Sequence, residues 1–332
     1  MRPLALTMGE PGGIGGEIAL AAWQALRHGG PAFVLLDDPD RVRALAAHLG
    51  AAVPVERVAS AADAADAFSR ALPVLPLARP VPLAPGRLEA ATAPAVIEAI
   101  DTAVALTMAG ETAAVVTNPI HKAALLGAGF AHPGHTEYLA ELAGVRRTVM
   151  MLAGPDLRVV PATIHIPLHD VPAALTEALI VETVEILHAA LVADFGIAAP
   201  RIAVAGLNPH AGEDGRLGGE EIATIAPALA RLAAEGIATT GPLSADTMFH
   251  PRARAGYDAA LCMYHDQALI PIKTLAFDEG VNVTLGLPFV RTSPDHGTAL
   301  TLAGHGTARA DSLIAALNLA AELAARRHGG PR

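Results

Sequence analysis

The chain has 332 residues, of which 52% are hydrophobic and 3% aromatic, and its formal net charge is -10. The length suffices for two α/β domains or for one large domain. The acidic excess argues against a nucleic-acid partner, because duplex binding needs Lys and Arg to neutralise phosphates. The single cysteine, Cys262, excludes an internal disulfide, and no uninterrupted apolar stretch reaches the roughly 20 residues of a membrane span. A cytoplasmic protein without a membrane or nucleic-acid partner is expected.

Short aliphatic runs alternate with longer helical patterns along the chain. Buried strands are predicted at residues 4–8, 33–36, 113–117, 149–152, 202–205 and 259–263. Helices are predicted from near Glu17 and over residues 41–49, 94–108 and 312–327. The proline-rich stretch 71–85 is expected to be a surface connection with at most a short edge strand. The alternation predicts a doubly wound, largely parallel sheet of the α/β class.

Three histidines, His165, His210 and His265, each follow an aliphatic run at the point where it gives way to a loop. Open α/β sheets bind ligands at the carboxyl ends of their strands. Each histidine alone is more simply structural, but three at equivalent positions favour a divalent metal site with one open coordination position. Zinc or cobalt suits three nitrogen ligands, and loosely bound magnesium is an alternative.

A second group of polar residues precedes a predicted helix that runs to Leu142. His135 and Thr136 follow Gly134, and the free N–H groups of a helix N-terminus suit an anion. The alternative is a Thr cap with Glu137 in the first turn, which leaves His135 without a role.

Lys273, Asn282 and Arg291 lie in a segment with few other cations. Cations flanked by apolar residues are expensive to bury unless they meet an anion, and arginine can hold a phosphate or carboxylate with two hydrogen bonds. Salt bridges to Asp278 or Glu279 are an equally simple explanation.

Residues 293–299 are typical of a turn that enters a helix of small residues, which is either an ordinary helix cap or a loop around an adenine nucleotide. The glycine-rich stretch 8–17 has neither Rossmann spacing nor a Walker Lys-Ser/Thr pair, so its glycines are weak evidence for a nucleotide. Asp246 is a candidate for orienting the site or accepting a proton, although a buried helix-capping aspartate has the same sequence pattern.

Six stretches together resemble the 4-hydroxythreonine-4-phosphate dehydrogenase family of vitamin B6 biosynthesis. They are residues 7–15 (TMGEPGGIG), 117–122 (TNPIHK), 134–137 (GHTE), 206–213 (GLNPHAGE), 264–267 (YHDQ) and 281–288 (VNVTLGLP). The resemblance implies a fold like that of isocitrate and isopropylmalate dehydrogenases, with two α/β/α domains around a central cleft. Residues 1–127 and 283–332 would form the nucleotide-side domain, and residues 128–282 the metal- and dimer-interface domain.

The resemblance also implies roles for individual residues and a homodimer with its active site at the interface. The implied metal ligands are His165, His210 and His265. The implied substrate contacts are His135, Thr136, Lys273, Asn282 and Arg291. The implied nucleotide loop is Asp295, His296, Gly297, Thr298 and Ala299. Lys122, in the second of the six stretches, joins Asp246 as a candidate catalytic residue. The implied cofactors are NAD or NADP and one divalent ion (Zn, Mg or Co).

The implied reaction is the NAD(P)-dependent oxidation of 4-phosphooxy-L-threonine at C3, with decarboxylation to 3-amino-2-oxopropyl phosphate. Glu10, Gly12 and Gly16 stand where the family more often has Asp, Ala and Pro, so related substrates remain open. The alternatives are a sister dehydrogenase of a threonate phosphate or a cis-dihydrodiol dicarboxylate. Outside the dehydrogenases, a non-redox metallohydrolase and a non-catalytic anion-binding protein are the alternatives.

Overall fold

The computed structural model describes residues 2–132 and 134–329 of the chain. Pro133, and Met1 and residues 330–332 of the predicted nucleotide-side domain, lie outside the described residues. The chain divides into two compact units. Unit 1 contains Met1–Thr148 and Leu287–Gly329, and unit 2 contains Val149–Gly286.

The strands, in chain order, are β1 (Leu4–Thr7), β2 (Phe33–Asp37), β3 (Val55–Arg57), β4 (Leu72–Pro76), β5 (Val115–Thr117), β6 (Val149–Ala153), β7 (Arg158–Pro161), β8 (Ile202–Ala205), β9 (Thr239–Leu243), β10 (Ala259–Cys262), β11 (Val281–Leu285) and β12 (Arg291–Pro294). The α-helices are α1 (Gly15–Leu26), α2 (Pro39–His48), α3 (Ala61–Ala67), α4 (Ala93–Met108), α5 (Lys122–Gly127), α6 (His135–Leu142), α7 (Val171–Ala174), α8 (Glu177–Ala193), α9 (Ala226–Ala234), α10 (Pro251–Arg254), α11 (His265–Leu275) and α12 (Asp311–Gly329). These elements confirm the predicted mixed α/β class.

The sheet of unit 1 is parallel throughout, in the order β3-β4-β2-β1-β5-β12. Its inner strands are continuous aliphatic runs because helices cover the sheet, with α4 against β1, β2 and β5 and α12 against β12 and β5. The segment 90–108, which includes α4, is long and apolar enough to span a membrane. Buried residues such as Val96, Ile100 and Val104 recur on one face of α4, as expected of a core helix.

The proline-rich stretch was predicted to be a surface connection with at most a short edge strand, and this prediction is wrong, because residues 72–76 form an interior strand. β4 pairs with β2 on one side and with β3 on the other, so β3 is the edge strand. The prolines at positions 73 and 76 remove two possible backbone donors, but Leu72 still donates to the Pro54 carbonyl at 2.8 Å.

The compact units differ from the domain boundaries expected from the sequence. Residues 128–148 lie in unit 1, because α6 packs on α4 and the Tyr138 hydroxyl donates to Asp101. Residues 283–286 lie in unit 2, because β11 pairs along its whole length with β6.

Unit 2 has a mixed sheet in the order β11-β6-β7-β10-β8-β9. β6 is antiparallel to β11 and to β7, whereas the pairs from β7 to β9 are parallel. The connection between β6 and β7 is a short hairpin closed by the Gly154 N–H, which donates to the Leu157 carbonyl at 2.9 Å. β10 therefore lies between β7 and β8, and the carboxyl ends of these three parallel strands adjoin.

Gly12 illustrates how tightly the first glycine-rich loop packs. A Cβ at this position would lie 1.9 Å from the carbonyl oxygen of Arg87, and the Gly86 N–H donates to the Gly12 carbonyl at 2.8 Å. We expect Gly12→Ala to lower the free energy of unfolding by about 1–3 kcal/mol, because the backbone at Arg87 must move. Urea unfolding measures this, with Gly29→Ala as the control, since a Cβ at Gly29 meets nothing within 4 Å. Equal effects of the two changes would contradict the expectation.

Candidate active site

The three predicted metal-ligating histidines all lie in unit 2, in the segments that follow neighbouring parallel strands. His165 comes four residues after the end of β7, His210 follows β8, and His265 is the first residue of α11 after β10. The strand-end placement predicted from the sequence is therefore present within the sheet. Their roles as ligands stay a prediction.

Two of these histidines are close together. The ring centroids of His165 and His265 are 5.7 Å apart. The rings border a cavity of about 320 Å³ whose remaining lining residues are mostly apolar. These other lining residues are Ile164, Ile166, Leu168, Val171, Tyr264 and Asp266.

Asp266 supports His265 in a way that the motif alone did not reveal. Its Oδ1 lies 2.7 Å from His265 Nδ1. A carboxylate at this nitrogen fixes the ring orientation and leaves Nε2 for a ligand, which is the usual environment of a metal-binding histidine. The chemistry of this donor set therefore fits a divalent ion held by His165 and His265.

His210 is the third predicted ligand, and it does not join the other two within one chain. Across residues 2–132 and 134–329, no three His, Cys, Asp or Glu side chains lie close enough together to hold a metal ion. His210 is exposed, in a turn with left-handed backbone conformation. A single chain thus brings together two of the three predicted ligands.

Unit 1 carries a separate group of cationic residues. Arg291, at the start of β12, is 4% exposed and donates from its guanidinium to Thr117 Oγ1, at the end of β5, at 2.6 Å. Burial lowers the pKa of Arg291 to about 10, so the side chain still carries its charge at neutral pH. A buried cation beside a hydroxyl is suited to an anionic ligand.

His135 lies close to this cation at the N-terminus of α6. Burial, followed by the charges of Arg291 and Lys122, holds the pKa of His135 well below its usual value, so the ring is neutral at pH 7. Its Nε2 atom is buried without a hydrogen-bond partner, and Lys122 adjoins Gly134. Thr136 follows in the first turn of α6. The structure therefore brings together Lys122, His135 and Arg291.

The low pKa of His135 has a testable effect on stability. Below about pH 6.5 the unfolded chain binds a proton at this ring that the folded chain does not, so stability falls as the pH decreases. Between pH 6.5 and 5 we expect this histidine to remove up to about 2 kcal/mol. Urea unfolding of the wild type and of His135→Asn across this range measures the difference, and parallel pH profiles for the two proteins would contradict it.

The other predicted site residues are distributed over both units. In unit 2, Lys273 lies two turns after His265 on α11, and Asn282 lies on β11 with its Oδ1 buried and without a hydrogen-bond partner. Asp246 is exposed in the turn after β9, where the Ser244 hydroxyl donates to its Oδ1 at 2.5 Å. It is therefore not a buried helix cap. The roles of these three residues stay predictions.

The predicted nucleotide loop, residues 295–299, lies in unit 1 against the glycine-rich loop. Ile14 N–H donates to the Thr298 carbonyl at 3.0 Å, and a Cβ at Gly13 would lie 2.8 Å from the same oxygen. The Nε2 atom of His296 is buried without a hydrogen-bond partner. The glycines therefore allow close packing against this loop, a role that their spacing alone did not reveal.

Glu17 is a further residue that sequence reasoning missed. Its two carboxylate oxygens accept hydrogen bonds from the backbone N–H groups of Gly304 and Ala308, at 3.0 and 3.1 Å. The side chain is 6% exposed, so it ties the first turn of α1 to the segment after the predicted nucleotide loop. An acidic residue two positions after Gly15 was the only available sequence signal.

Comparisons with known proteins agree with the resemblance in the sequence. A family model described as pyridoxal phosphate biosynthetic protein PdxA matches residues 31–320. A 4-hydroxythreonine-4-phosphate dehydrogenase from Methylorubrum populi is 58% identical over 333 residues, covering 98% of this chain and 95% of that protein. The crystal structure of a 4-hydroxythreonine-4-phosphate dehydrogenase from Klebsiella pneumoniae is 38% identical, with a TM-score of 0.89 and coverage of 97% of this chain and 98% of that chain.

A more distant solved structure bears on the alternatives. A terephthalate 1,2-cis-dihydrodiol dehydrogenase from Burkholderia xenovorans is 28% identical with a TM-score of 0.66, over 97% of this chain and 98% of that chain. These relatives are dehydrogenases, as predicted, and not hydrolases or non-catalytic binding proteins. Because the family model spans most of the chain and the identity to a relative reaches 58% over nearly all of it, the chain belongs to the PdxA family of pyridoxal phosphate biosynthetic proteins, the 4-hydroxythreonine-4-phosphate dehydrogenases.

Proposed function

We propose that this chain is a cytoplasmic, homodimeric enzyme that oxidises 4-phosphooxy-L-threonine at C3 and releases CO2 to form 3-amino-2-oxopropyl phosphate. The observation that carries the proposal is the buried cation Arg291 beside His135 and Lys122. A phosphate group is an anion that a buried guanidinium attracts strongly, and arginine binds it with two hydrogen bonds. The relatives' printed names give the same substrate class.

Several residues of the chain are assigned to binding the phosphate end of the substrate. Arg291 and the N–H groups of the first turn of α6 hold the phosphate, and Thr117 orients the Arg291 guanidinium. His135, being neutral, donates or accepts a hydrogen bond at this end without adding charge. Thr136, Lys273 and Asn282 contribute further polar contacts.

A divalent ion fits His165 and His265, and we propose that His210 of the partner subunit completes the ligand set. Two observations support an assembly of this kind. One chain leaves His210 exposed and away from the other two rings. Unit 2 also exposes large apolar side chains that a partner subunit would cover, among them Leu168 at 67%, Ile270 at 63% and Phe277 at 74%.

The cofactors supply the reactive groups and the protein positions the substrate against them. When bound, the nicotinamide of NAD(P)+ would supply the acceptor for the C3 hydride, and the divalent ion held by the histidines would supply a Lewis acid for the C3 oxygen and for the charge left by decarboxylation. Asp266 keeps His265 in the tautomer that a ligand requires. Asp246 and Lys122 are the candidates for the proton transfers at the C3 hydroxyl and at C2.

The nicotinamide nucleotide is assigned to unit 1, at the loop formed by residues Asp295, His296, Gly297, Thr298 and Ala299. The hydrogen bond from the Ile14 N–H to the Thr298 carbonyl supports this assignment, because it fixes the backbone of a loop that would contact the nucleotide. Either NAD or NADP satisfies the arrangement. The ion is zinc, cobalt or magnesium, of which the first two match an all-nitrogen ligand set best.

Turnover of two substrates tests the proposal directly. Purified protein with NAD+ or NADP+ and a panel of Zn2+, Co2+ and Mg2+ is given 4-phosphooxy-L-threonine or a terephthalate-derived cis-dihydrodiol. We expect absorbance of the reduced nicotinamide to appear with the phosphorylated amino acid. The likeness to the cis-dihydrodiol dehydrogenase makes the second substrate the pertinent comparison. Preference for the dihydrodiol would replace the proposed substrate, and the absence of any reduced nicotinamide would refute the redox reaction.

A further inference from the structure

The turn that carries His210 has an unusual backbone. Five consecutive residues from His210 to Asp214 have positive φ angles, and only Gly212 among them is a glycine. Non-glycine residues in the left-handed region are strained by their Cβ atoms, so such a run persists only where the surroundings impose it. Something adjacent must therefore hold this turn.

The buried carboxylate of Glu221 is in the position to do so. Glu221 is 3% exposed, and its Oε1 accepts the backbone N–H of Asn208 at 2.8 Å while its Oε2 accepts Asn208 Nδ2 at 3.0 Å. Glu220 Oε2 accepts the same amide at 2.7 Å. Asn208 is the residue that precedes the turn, so both its backbone and its side chain are fixed.

The same carboxylate fills the space inside the turn. A Cβ on Gly212 would lie 2.5 Å from Glu221 Oε2, and a Cβ on Gly206 would lie 3.1 Å from Oε1. Glycine is therefore required where the backbone passes over this carboxylate. Glu221 also begins a short π-helical turn, Glu221–Ile225, a deviation that frequently accompanies functional sites.

A second contact ties the base of this turn to the strand end that carries His265. Gln267 Nε2 donates to the Gly206 carbonyl at 2.8 Å, and its Oε1 accepts the Met263 N–H at 2.6 Å. Because Gln267 is buried, the ends of β8 and β10 have a fixed spacing. With the strand ends fixed, the orientation of His210 depends on the conformation of the turn that packs against Glu221.

We propose that Glu221 is a positioning residue that holds the His210 imidazole in the orientation needed to bind the divalent ion. This inference rests on the proposed function, in which His210 is a metal ligand. Glu221 itself contacts Asn208 and the turn, and does not need to contact the ion. The strained turn then holds the His210 imidazole in its metal-binding orientation before the ion binds.

Glu221→Gln is the sharpest test, because it keeps the shape and changes one acceptor into a donor. Both hydrogen bonds that Glu221 accepts come from N–H groups, one to each carboxylate oxygen. A glutamine side chain has one acceptor oxygen, so it can accept only one of them. We expect the Kd of the metal-free, full-length protein for Zn2+, measured by chelator competition, to rise about 10- to 100-fold. The Kd for NAD+ and the dimeric state should be unchanged. Glu235→Gln, an exposed carboxylate at the end of α9 paired with Arg231, is the matched control and should bind Zn2+ as the wild type does.

The double variant separates positioning from general weakening of the fold. If Glu221 acts through His210, Glu221→Gln should add no further loss of Zn2+ affinity to His210→Ala. An equal loss in both backgrounds, or a Kd of Glu221→Gln within twofold of the wild type, would overturn the inference. If Glu221→Gln does not fold, Asn208→Ala is the replacement variant for the same Zn2+ binding measurement. It removes the hydrogen bond from Asn208 Nδ2 to Glu221 Oε2 and leaves the backbone hydrogen bond in place. Unchanged Zn2+ binding by His210→Ala would instead refute the ligand role of His210 in the proposed function.

Discussion

Replacing His210 with alanine is expected to lower kcat by at least about 1000-fold while the fold survives. A bound divalent ion contributes several kcal/mol to stabilising charge on the reacting oxygen, and each 1.4 kcal/mol corresponds to about tenfold in rate. His210 is exposed in its own chain, so its removal leaves no cavity in the core. Steady-state kinetics with saturating NAD+ and Zn2+, together with the metal content of the protein, measure the effect.

His169→Ala is the matched control for this experiment. His169 is exposed in the same unit and pairs with Asp170 in the segment that follows the His165 loop, but it does not line the cavity. Its replacement should leave kcat and metal content unchanged. Near-normal turnover of His210→Ala in the absence of added metal would contradict the role of the three histidines.

Replacing Arg291 with alanine is expected to raise the KM for 4-phosphooxy-L-threonine by about 100- to 1000-fold. Each charge-assisted hydrogen bond from arginine to phosphate is worth about 1.5–3 kcal/mol, and a guanidinium makes two in parallel. Arg291→Lys should recover only part of the loss, because an ammonium is a point charge without the planar fork. The KM for NAD+ should change little.

The unphosphorylated analogue 4-hydroxy-L-threonine provides the control for Arg291. If Arg291 binds the phosphate, Arg291→Ala should impair the phosphorylated substrate far more than this analogue. Equal effects on both substrates would indicate that the change disturbs unit 1 as a whole, for example through the lost contact with Thr117, and would remove Arg291 from the phosphate site.

Hydrophobic patterning predicted most of the regular structure because it reports burial directly. The predicted strands at residues 33–36 and 202–205 correspond to β2 and β8, and the predicted helix 94–108 corresponds to α4. A strand buried on both faces must be aliphatic at every position, so the pattern is hard to miss. The histidines that interrupt this pattern were informative for the same reason.

Features that depend on long-range pairing could not be derived in this way. The antiparallel hairpin of β6 and β7 and the interior position of β4 depend on which strands pair, and the sequence of one strand does not encode its neighbours. Gly154 and Pro155, which lie between β6 and β7, are typical of a turn and indicate where the hairpin bends, but they do not show that the two strands pair. The assignment of α6 to unit 1 likewise depends on its contact with α4.

The site was predictable in its residue types and not in its electrostatics. The sequence predicted that His135 and Arg291 bind an anion, but the neutral state of His135 follows from burial and from the nearby charges. Glu221 and Glu17 read as ordinary helix-surface carboxylates until their backbone partners are known. The left-handed turn at His210 has four non-glycine residues, so no conformational preference pointed to it.

The stoichiometry of a single reaction distinguishes oxidative decarboxylation from hydrolysis and from oxidation alone. 4-Phosphooxy-L-threonine labelled with 13C at C1 is incubated with the enzyme, NAD+ and Zn2+, and the products are followed by NMR and by nicotinamide absorbance. We expect one labelled CO2, one 3-amino-2-oxopropyl phosphate and one NADH for each substrate molecule consumed. Release of inorganic phosphate without NADH, or NADH formation with the label retained in the organic product, would contradict it.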